Sequence, residues 1–150
     1  MLDNTYSIKI ISAKDTYDVR HPVLRPGRPI TDCVFEGDNL DTTYHLGLFH
    51  QEQLIGVVSL MRNSNKQIQE RSQYQLRGMA ILKPYQGQGL GKYLIDASIK
   101  KLTELHCEIV WCNAREIALS FYKRNQFQVL GEPFSIPLIG NHFTMFRKIN

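Results

Sequence analysis

The first half of the chain contains several short stretches in which apolar residues alternate with polar ones or run together. Tyr6–Ile11 (YSIKII) alternates and is rich in isoleucine, which predicts a first strand. Thr43–Phe49 and Gln53–Met61 predict a pair of strands joined by a hairpin at His50-Gln51-Glu52. Tyr74–Leu82 predicts a fourth strand. The first half is therefore expected to form mainly antiparallel sheet.

Two stretches repeat their apolar residues at helical spacing. Ala13–Arg20 predicts a short helix that is capped by Ser12 and ends near His21-Pro22. From Leu90 to Leu105, apolar residues recur in steps of three and four with charged residues between them, which predicts a longer amphipathic helix.

The second half alternates strands with helices. Ile109–Cys112 predicts a short buried strand, and Ala114–Asn125 predicts a helix with Asn113 as its N-cap. Phe127–Leu130 and His142–Ile149 predict two last strands. A strand, a helix and a strand in this order form a right-handed parallel crossover. The predicted fold class is α/β: one domain over residues 1–150, with a mixed, mostly antiparallel twisted sheet and a central parallel β-α-β crossover.

Two irregular segments interrupt this pattern. Val23–Asp41 and Gly131–Asn141 are rich in residues that break regular structure. Loops held on a rigid scaffold often form substrate sites, so these segments are expected to determine what the protein acts on. The alternative is that they only cover the core.

Composition narrows the class of protein. The 150 residues are 43% hydrophobic and 21% charged, which is typical of one globular domain. The chain lacks both a long apolar span and a leader-like amino terminus, so a cytosolic protein without membrane partners is expected. Three cysteines (Cys33, Cys107 and Cys112) form no C-x-x-C pair and are expected to be reduced thiols. The net charge of +4 comes from scattered residues, which does not favour nucleic acid, and no metal site is predicted.

The most informative motif lies between the fourth strand and the long helix. Gln86-Gly87-Gln88-Gly89-Leu90-Gly91 places glycine at every second position. Glycine lets the backbone approach a ligand closely, and the first N–H groups of a helix have no helical partner and lie at the positive end of its dipole. The motif therefore predicts a phosphate or pyrophosphate site.

Two common phosphate signatures do not fit this turn. A Walker loop requires glycine and Ser or Thr where this chain has Gln86 and Tyr93. A dinucleotide fingerprint requires G-x-G-x-x-G after the first strand, whereas this chain has G-x-G-x-G late in its sequence. A plain glycine-rich connection is the remaining alternative.

The turn resembles the Q/R-x-x-G-x-G/A motif of the GNAT superfamily of N-acetyltransferases, which holds the pyrophosphate of acetyl-coenzyme A. Trp111–Phe127 (WCNAREIALSFYKRNQF) is similar to the second half of the core of that family. The two motifs occur in the order and at the spacing of the family. The resemblance implies the GNAT-like acyl-CoA N-acyltransferase fold and an acetyl-CoA-dependent enzyme without a metal.

The resemblance also implies roles for individual residues. The main chain of Met79, Ala80 and Ile81 matches the positions that contact the thioester and pantetheine, and the Met79 N–H would polarise the acetyl carbonyl. Tyr122 matches the tyrosine that protonates the departing thiolate. The implied cofactor-binding set is completed by Gln86, Gly87, Gln88, Gly89, Leu90, Gly91, Lys92 and Asn113. The alternative for Lys92 is a solvated helix residue, and the alternative for Asn113 is a helix cap.

The chain departs from the family in two places. Many relatives have a glycine just before the phenylalanine of the next strand, where this chain has Asn125-Gln126; Asn125 is expected to take over the left-handed cap. Some relatives have a glutamate base where this chain has Gln75. Glutamine is not a base, which leaves a water held by Gln75 or one of four side chains as the proton acceptor: Glu36, Asp38, His45 and His142.

The expected reaction is acetyl transfer to a primary amine on a small molecule, through direct attack in a ternary complex. An acetyl-enzyme intermediate at Cys112 is the alternative mechanism. The alternative functions are a non-catalytic module that binds coenzyme A and a regulator that binds a nucleotide at the same turn. A homodimer that pairs late strands between subunits stays open.

Overall fold

A computed structural model describes residues 2–149 of the chain. The chain forms two compact units, Met1–Met61 with Leu76–Lys100 (unit 1) and Arg62–Gln75 with Lys101–Asn150 (unit 2), and each is described by itself. The strands are β1 (Tyr6–Ile11), β2 (Tyr44–His50), β3 (Gln53–Arg62), β4 (Gln73–Ile81), β5 (Ile109–Arg115), β6 (Gln128–Val129), β7 (Phe134–Ile136) and β8 (Gly140–Lys148). The α-helices are α1 (Ala13–Leu24), α2 (Gly91–Glu104) and α3 (Leu119–Arg124).

Unit 1 contains an antiparallel meander. β1 pairs with β2 from Tyr6 opposite His50 to Ile11 opposite His45, and β2 pairs with β3 through the predicted hairpin. The order continues from β3 to β4, whose last six residues belong to this unit. The alternation of apolar and polar residues predicted these strands to within one residue at each end.

Helix α1 begins as predicted and ends later. Asp15 N donates to Ser12 Oγ at 3.1 Å and Ser12 N donates to Asp15 Oδ2 at 3.2 Å, a capping box that fixes the first turn. The predicted end near Pro22 is wrong, because the helix continues to Leu24 with Pro22 inside it. Val23 and Leu24 pack against a buried cluster that includes Val19, and this burial offsets the hydrogen bond that proline cannot donate.

Unit 2 is organised around β8. β5, β6 and β7 all pair with it in antiparallel fashion, and the first three residues of β4 pair in parallel with β5 (Gln73–Gln75 with Ile109–Trp111). The predicted parallel pair within a mostly antiparallel sheet is therefore present, and the predicted fold class is confirmed. The prediction of one domain over residues 1–150 stays a prediction.

The prediction that a helix begins after Asn113 is wrong. Pairing with β8 carries β5 through Arg115, so Asn113 lies in a strand opposite Thr144 and does not cap a helix. A 3₁₀ turn (Glu116–Ala118) follows, and α3 begins only at Leu119. The ladder hydrogen bonds of three further residue pairs outweigh the capping preference of one asparagine.

The end of α3 corrects a second prediction. The left-handed residue is Gln126, with φ 70°, whereas Asn125 has φ −97°. Gln126 N donates to Lys123 O at 3.1 Å and Phe127 N donates to Tyr122 O at 3.0 Å, the two bonds of a Schellman motif. The position of the turn is therefore set by these bonds, although glutamine is a poor residue for it.

Replacing Gln126 with glycine should stabilise the protein. The left-handed conformation costs a residue with a side chain about 1–2 kcal/mol, and glycine avoids this cost. Glycine also raises the conformational entropy of the unfolded chain, which offsets part of the stabilisation, so a net gain of about 0.5–1 kcal/mol is expected. The free energy of unfolding in urea measures it. Gln126→Ala is the control and should gain nothing, because alanine also avoids positive φ. A Gln126→Gly protein no more stable than Gln126→Ala would contradict the expectation.

Candidate active site

The end of β4 and the glycine turn form one continuous piece of unit 1. The chain leaves β4 after Ile81, makes a 3₁₀ turn at Lys83–Tyr85 and enters α2 at Gly91. Gln86 Nε2 donates to Ile81 O at 2.8 Å and ties the start of the glycine turn back to the end of the strand. The structure therefore brings the predicted thioester strand and the predicted pyrophosphate turn together.

The conformation of the turn requires glycine. Gly87 and Gly89 have φ of 77° and 74°, and a Cβ at either position would meet nothing within 4 Å. Glycine is therefore required at these positions by the backbone conformation and not by a lack of space for a side chain. Gln88 Nε2 also donates to Pro84 O at 3.3 Å, so both glutamines of the motif brace the turn from within.

The turn has the properties of an anion site. Gln86, Gly87, Gln88 and Gly89 are exposed, and the first turn of α2 contains no acidic residue. Anions are stabilised at a helix N-terminus by its N–H groups and dipole, so the residues present fit a pyrophosphate. Lys92 Nζ lies 2.6 Å from Asp96 Oδ2 on the exposed face of α2, and this ion pair compensates part of its charge.

Met79, Ala80 and Ile81 lie on β4 just before the turn. Ala80 is buried in the same cluster as Val19, and Met79 and Ile81 are partly buried. Gly78, directly before Met79, has φ 64°, so the strand leaves the regular extended conformation at this point. Such a departure re-aims the backbone groups that follow it.

Asn113 and Tyr122 belong to unit 2. Asn113 is exposed on β5, and its Oδ1 accepts from Thr144 Oγ1 at 3.1 Å. Tyr122 is buried on α3 between the rings of Phe121 and Phe127, with centroids 5.1 and 5.3 Å away. Burial raises the pKa of the Tyr122 phenol well above 10, and the nearby Cys112 adds to the effect.

The cysteines give no sign of a nucleophile. All three are buried free thiols, and burial raises the pKa of Cys112 far above its usual value. Burial likewise raises the pKa of Cys33 and of Cys107. Because the thiolate is the reactive species, a thiol that resists ionisation is a poor acceptor of an acetyl group.

Gln75 takes part in a chain of hydrogen bonds in unit 2. Its Oε1 accepts from Asn63 Nδ2 at 2.9 Å, and Asn63 O accepts from Trp111 Nε1 at 2.9 Å. Gln75 is buried and held in place. This geometry suits a positioning role and adds nothing to its ability to accept a proton.

Two of the candidate bases are committed to a buried network in unit 1. Asp38 forms an ion pair with Arg20 at 2.8 and 3.0 Å, and both side chains are almost fully buried. His45 lies 2.6 Å from Ser59 Oγ and 2.9 Å from Asp38 O. Ser59 Oγ also accepts from Arg20 at 2.9 Å. Asp38 and His45 therefore hold the structure together and are poorly placed to exchange protons with a substrate.

The other two candidates differ in exposure. Glu36 is exposed, in the segment before β2. His142 is buried in unit 2, stacked on Phe134, with Nδ1 3.0 Å from Gly140 O. Glu36 is the only one of the four whose side chain is exposed to solvent.

Sequence reasoning missed the role of Arg20. Arg20 lies on the face of α1 that buries Ala13, Thr16 and Val19, and an arginine on an apolar helical face indicates a buried counter-charge. That signal was available in the sequence.

The comparisons with known proteins agree with the motifs. The model of the acetyltransferase (GNAT) family matches residues 11–127. An uncharacterized N-acetyltransferase, YitI of Bacillus subtilis (strain 168), is 41% identical over 142 residues, which are 95% of each protein.

Solved structures share the fold at low sequence identity. An aminoglycoside 6'-N-acetyltransferase complexed with coenzyme A has a TM-score of 0.75 at 11% identity, covering 96% of this chain and 97% of that one. The ribosomal-protein-S18-alanine N-acetyltransferase of Escherichia coli has a TM-score of 0.76 at 16% identity, covering 96% and 94%. Their names give an antibiotic and a protein as acceptors, so the fold does not determine the acceptor. This chain belongs to the GNAT family of acetyltransferases.

Proposed function

We propose that this protein transfers the acetyl group of acetyl-CoA to a primary amine of a small molecule, by direct attack in a ternary complex. The observation that carries the proposal is the β4 to α2 connection. Two glycines with positive φ lie just before α2, and the first turn of this helix contains no acidic residue. The Gln86 side chain bonds this turn to the end of the strand that contains Met79. Aligned backbone N–H groups and a helix dipole are suited to a pyrophosphate.

The candidate site residues of unit 1 have distinct proposed roles. The turn Gln86–Gly91 holds the pyrophosphate, with Lys92 adding charge to the extent that Asp96 leaves it available. The main chain of Met79, Ala80 and Ile81 holds the pantetheine and thioester. The Met79 N–H donates to the acetyl oxygen as negative charge develops on it, as in an oxyanion hole.

The proposed roles in unit 2 concern the leaving group and the cofactor. Asn113 bonds the cofactor through its exposed amide, and Tyr122 donates its phenolic proton to the thiolate of coenzyme A. A phenol whose pKa is raised by burial stays protonated at neutral pH and is therefore ready to donate. In the reaction the amine nitrogen bonds the acetyl carbon to give a tetrahedral intermediate and loses its proton to a base, and the C–S bond then breaks as the thiolate takes the Tyr122 proton.

The base is the least constrained part of the proposal. Gln75 does not accept the proton, and its fixed amide is suited to holding a water that carries the proton to solvent. Glu36 is the alternative, because it is exposed and free of the buried network. His142 is buried and its Nδ1 already contacts a carbonyl oxygen.

A titration of the melting temperature with acetyl-CoA, coenzyme A, ATP and NAD tests the cofactor site. Ligands that bind the native state raise the melting temperature by mass action. Acetyl-CoA and coenzyme A should stabilise the wild type and ATP and NAD should not. Gly89→Asp should weaken coenzyme A binding roughly 30-fold, about 2 kcal/mol of repulsion between the aspartate and the pyrophosphate at a partly exposed site.

The matched control is Gly89→Asn, which has the same shape and tolerates positive φ without the charge. It should retain most of the binding. Equal losses in the two variants would mean that backbone strain, and not charge, weakens binding, and stabilisation by ATP or NAD alone would contradict the cofactor assignment.

Location and assembly are separate matters. Among residues 2–149, no helix is long and apolar enough to cross a membrane, and no group of three or more His, Cys, Asp or Glu residues is placed to hold a metal ion. A cytosolic location, action without a metal or nucleic acid, and a homodimer stay predictions.

A further inference from the structure

Three arginines of unit 1 surround one phenylalanine. The guanidinium carbons of Arg20, Arg77 and Arg25 lie 3.9, 4.7 and 5.5 Å from the centroid of the Phe35 ring. Phe35 is buried, in the segment between α1 and β2 that the sequence marks as irregular. Cations are attracted to an aromatic face, but three in one place repel one another, so such a cluster requires compensating negative charge.

Arg20 is compensated by a direct ion pair, whereas the carboxylates of Asp38 and Glu36 act on Arg77 only from beyond ion-pair distance. Arg20 is paired with Asp38 through two hydrogen bonds. Arg77 donates weakly to Glu36 O at 3.4 Å and lies 3.8 Å from Met61 Sδ. Within residues 2–149, no carboxylate oxygen lies at ion-pair distance from Arg77.

The surroundings make this charge costly. Arg77 is partly buried, and burial together with the nearby Arg20 lowers the pKa of its guanidinium. Arginine nevertheless keeps its proton at every physiological pH. A partly buried guanidinium that lacks a direct ion pair is suited to an anion that arrives with a ligand.

Arg77 is close to the proposed reaction centre. It precedes Met79 by two residues on β4, so their Cα atoms lie at most about 7 Å apart. Gly78 lies between them with φ 64°, and a Cβ there would be 3.0 Å from Phe35 and 3.3 Å from Arg20 Nε. The segment that contains Phe35 therefore lies directly against β4 beside the thioester position.

We propose that Arg77 binds a carboxylate of the acceptor, so that the substrate is a small molecule that carries both a primary amine and a carboxylate. This inference rests on the proposed function and names the substrate class of the same site. A guanidinium offers two parallel N–H groups to the two oxygens of a carboxylate, which fixes the acceptor in orientation as well as in affinity. The amine is then held on the Met79 side of the carboxylate.

Matched pairs of acceptors test the proposal. Glycine, β-alanine and γ-aminobutyrate are each compared with the corresponding amide, and release of coenzyme A gives kcat/KM. The wild type should prefer the carboxylate of at least one pair about 100-fold, the value of a charge-assisted hydrogen bond. Arg77→Met should bring that ratio close to one, and Arg77→Lys should restore part of it.

Further variants separate recognition from folding. Arg71→Met, which removes an exposed arginine outside the cluster, should leave the ratio unchanged. Arg77→Glu should reverse the preference towards diamines, which a merely structural arginine would not do. A wild-type ratio near one for every pair, or a ratio that Arg77→Met does not alter, overturns the proposal. Turnover confined to peptides with an acidic second residue overturns the small-molecule assignment.

A binding measurement keeps this inference separate from the proposed function. Calorimetry on the protein saturated with coenzyme A compares N-acetyl-β-alanine with its amide, and the acid should bind more tightly in the wild type but not in Arg77→Met. Equal binding overturns the carboxylate site even if acetyl-CoA is bound and amines are acetylated. Failure of the proposed function would instead appear as loss of acetyl-CoA stabilisation and of all coenzyme A release.

Discussion

Replacing Tyr122 with phenylalanine is expected to lower kcat about 1000-fold, or about 4 kcal/mol of transition-state stabilisation, within the range typical of general acid catalysis. The ring contacts with Phe121 and Phe127 remain, so the fold should be unaffected. The KM for acetyl-CoA should stay close to its wild-type value, because the proton is needed only as the C–S bond breaks. Steady-state kinetics at saturating acceptor measures both parameters.

Tyr17→Phe is the matched control, because Tyr17 is partly buried on α1 outside the proposed site, and it should leave kcat unchanged. The pH profile adds a second readout. Since burial raises the pKa of Tyr122 well above 10, its proton should be retained and kcat should show no loss from tyrosine ionisation between about pH 6 and 9. If Tyr122→Phe lowers kcat only tenfold or less, Tyr122 is not the general acid.

Replacing Asp38 with asparagine is expected to destabilise the protein by about 3–5 kcal/mol, because removing one partner of a buried ion pair leaves the other charge uncompensated. The Arg20 side chain is fully buried and also bonds Cys33 O and Ser59 Oγ, so it is unable to turn towards water. Phe35 N, which donates to Asp38 Oδ2 at 2.9 Å, loses a charged acceptor as well. Urea denaturation measures the change.

The same segment supplies the control. Arg28 and Asp32 form an ion pair at 2.9 Å whose side chains are 52% and 34% exposed, and Asp32→Asn should cost less than about 1 kcal/mol. The double variant Arg20→Met with Asp38→Asn should recover part of the loss, since it removes the stranded charge. If Asp38→Asn and Asp32→Asn are equally mild, the buried pair is not a major source of stability.

The sequence predicted those features that depend on neighbouring residues. Alternation located β1 and the β2–β3 hairpin, Ser12 and Asp15 located the start of α1, and the glycine spacing located the turn before α2. Each signal is local, because the residues that form the feature adjoin one another in the chain.

The features that were missed depend on distant partners. β5 extends to Arg115 because β8 pairs with it, and α1 passes through Pro22 because Val23 and Leu24 have a cluster to pack against. The pairing of Arg20 with Asp38 joins a helix to an irregular segment 18 residues away. A local pattern can indicate that Arg20 needs a counter-charge, but it does not identify the distant partner, so the proposed acceptor side was harder to derive than the cofactor turn.

The buried network also separates the segment between α1 and β2 into two parts with different tolerance to change. Its second part is anchored, because Cys33, Phe35 and Asp38 are buried against Arg20. Its first part, residues 26–31, is exposed throughout. Insertions are best tolerated where little is buried. Changes in the length and composition of residues 26–31 should therefore leave the free energy of unfolding nearly unchanged, so variants of this part can test whether the segment determines the acceptor without unfolding the protein.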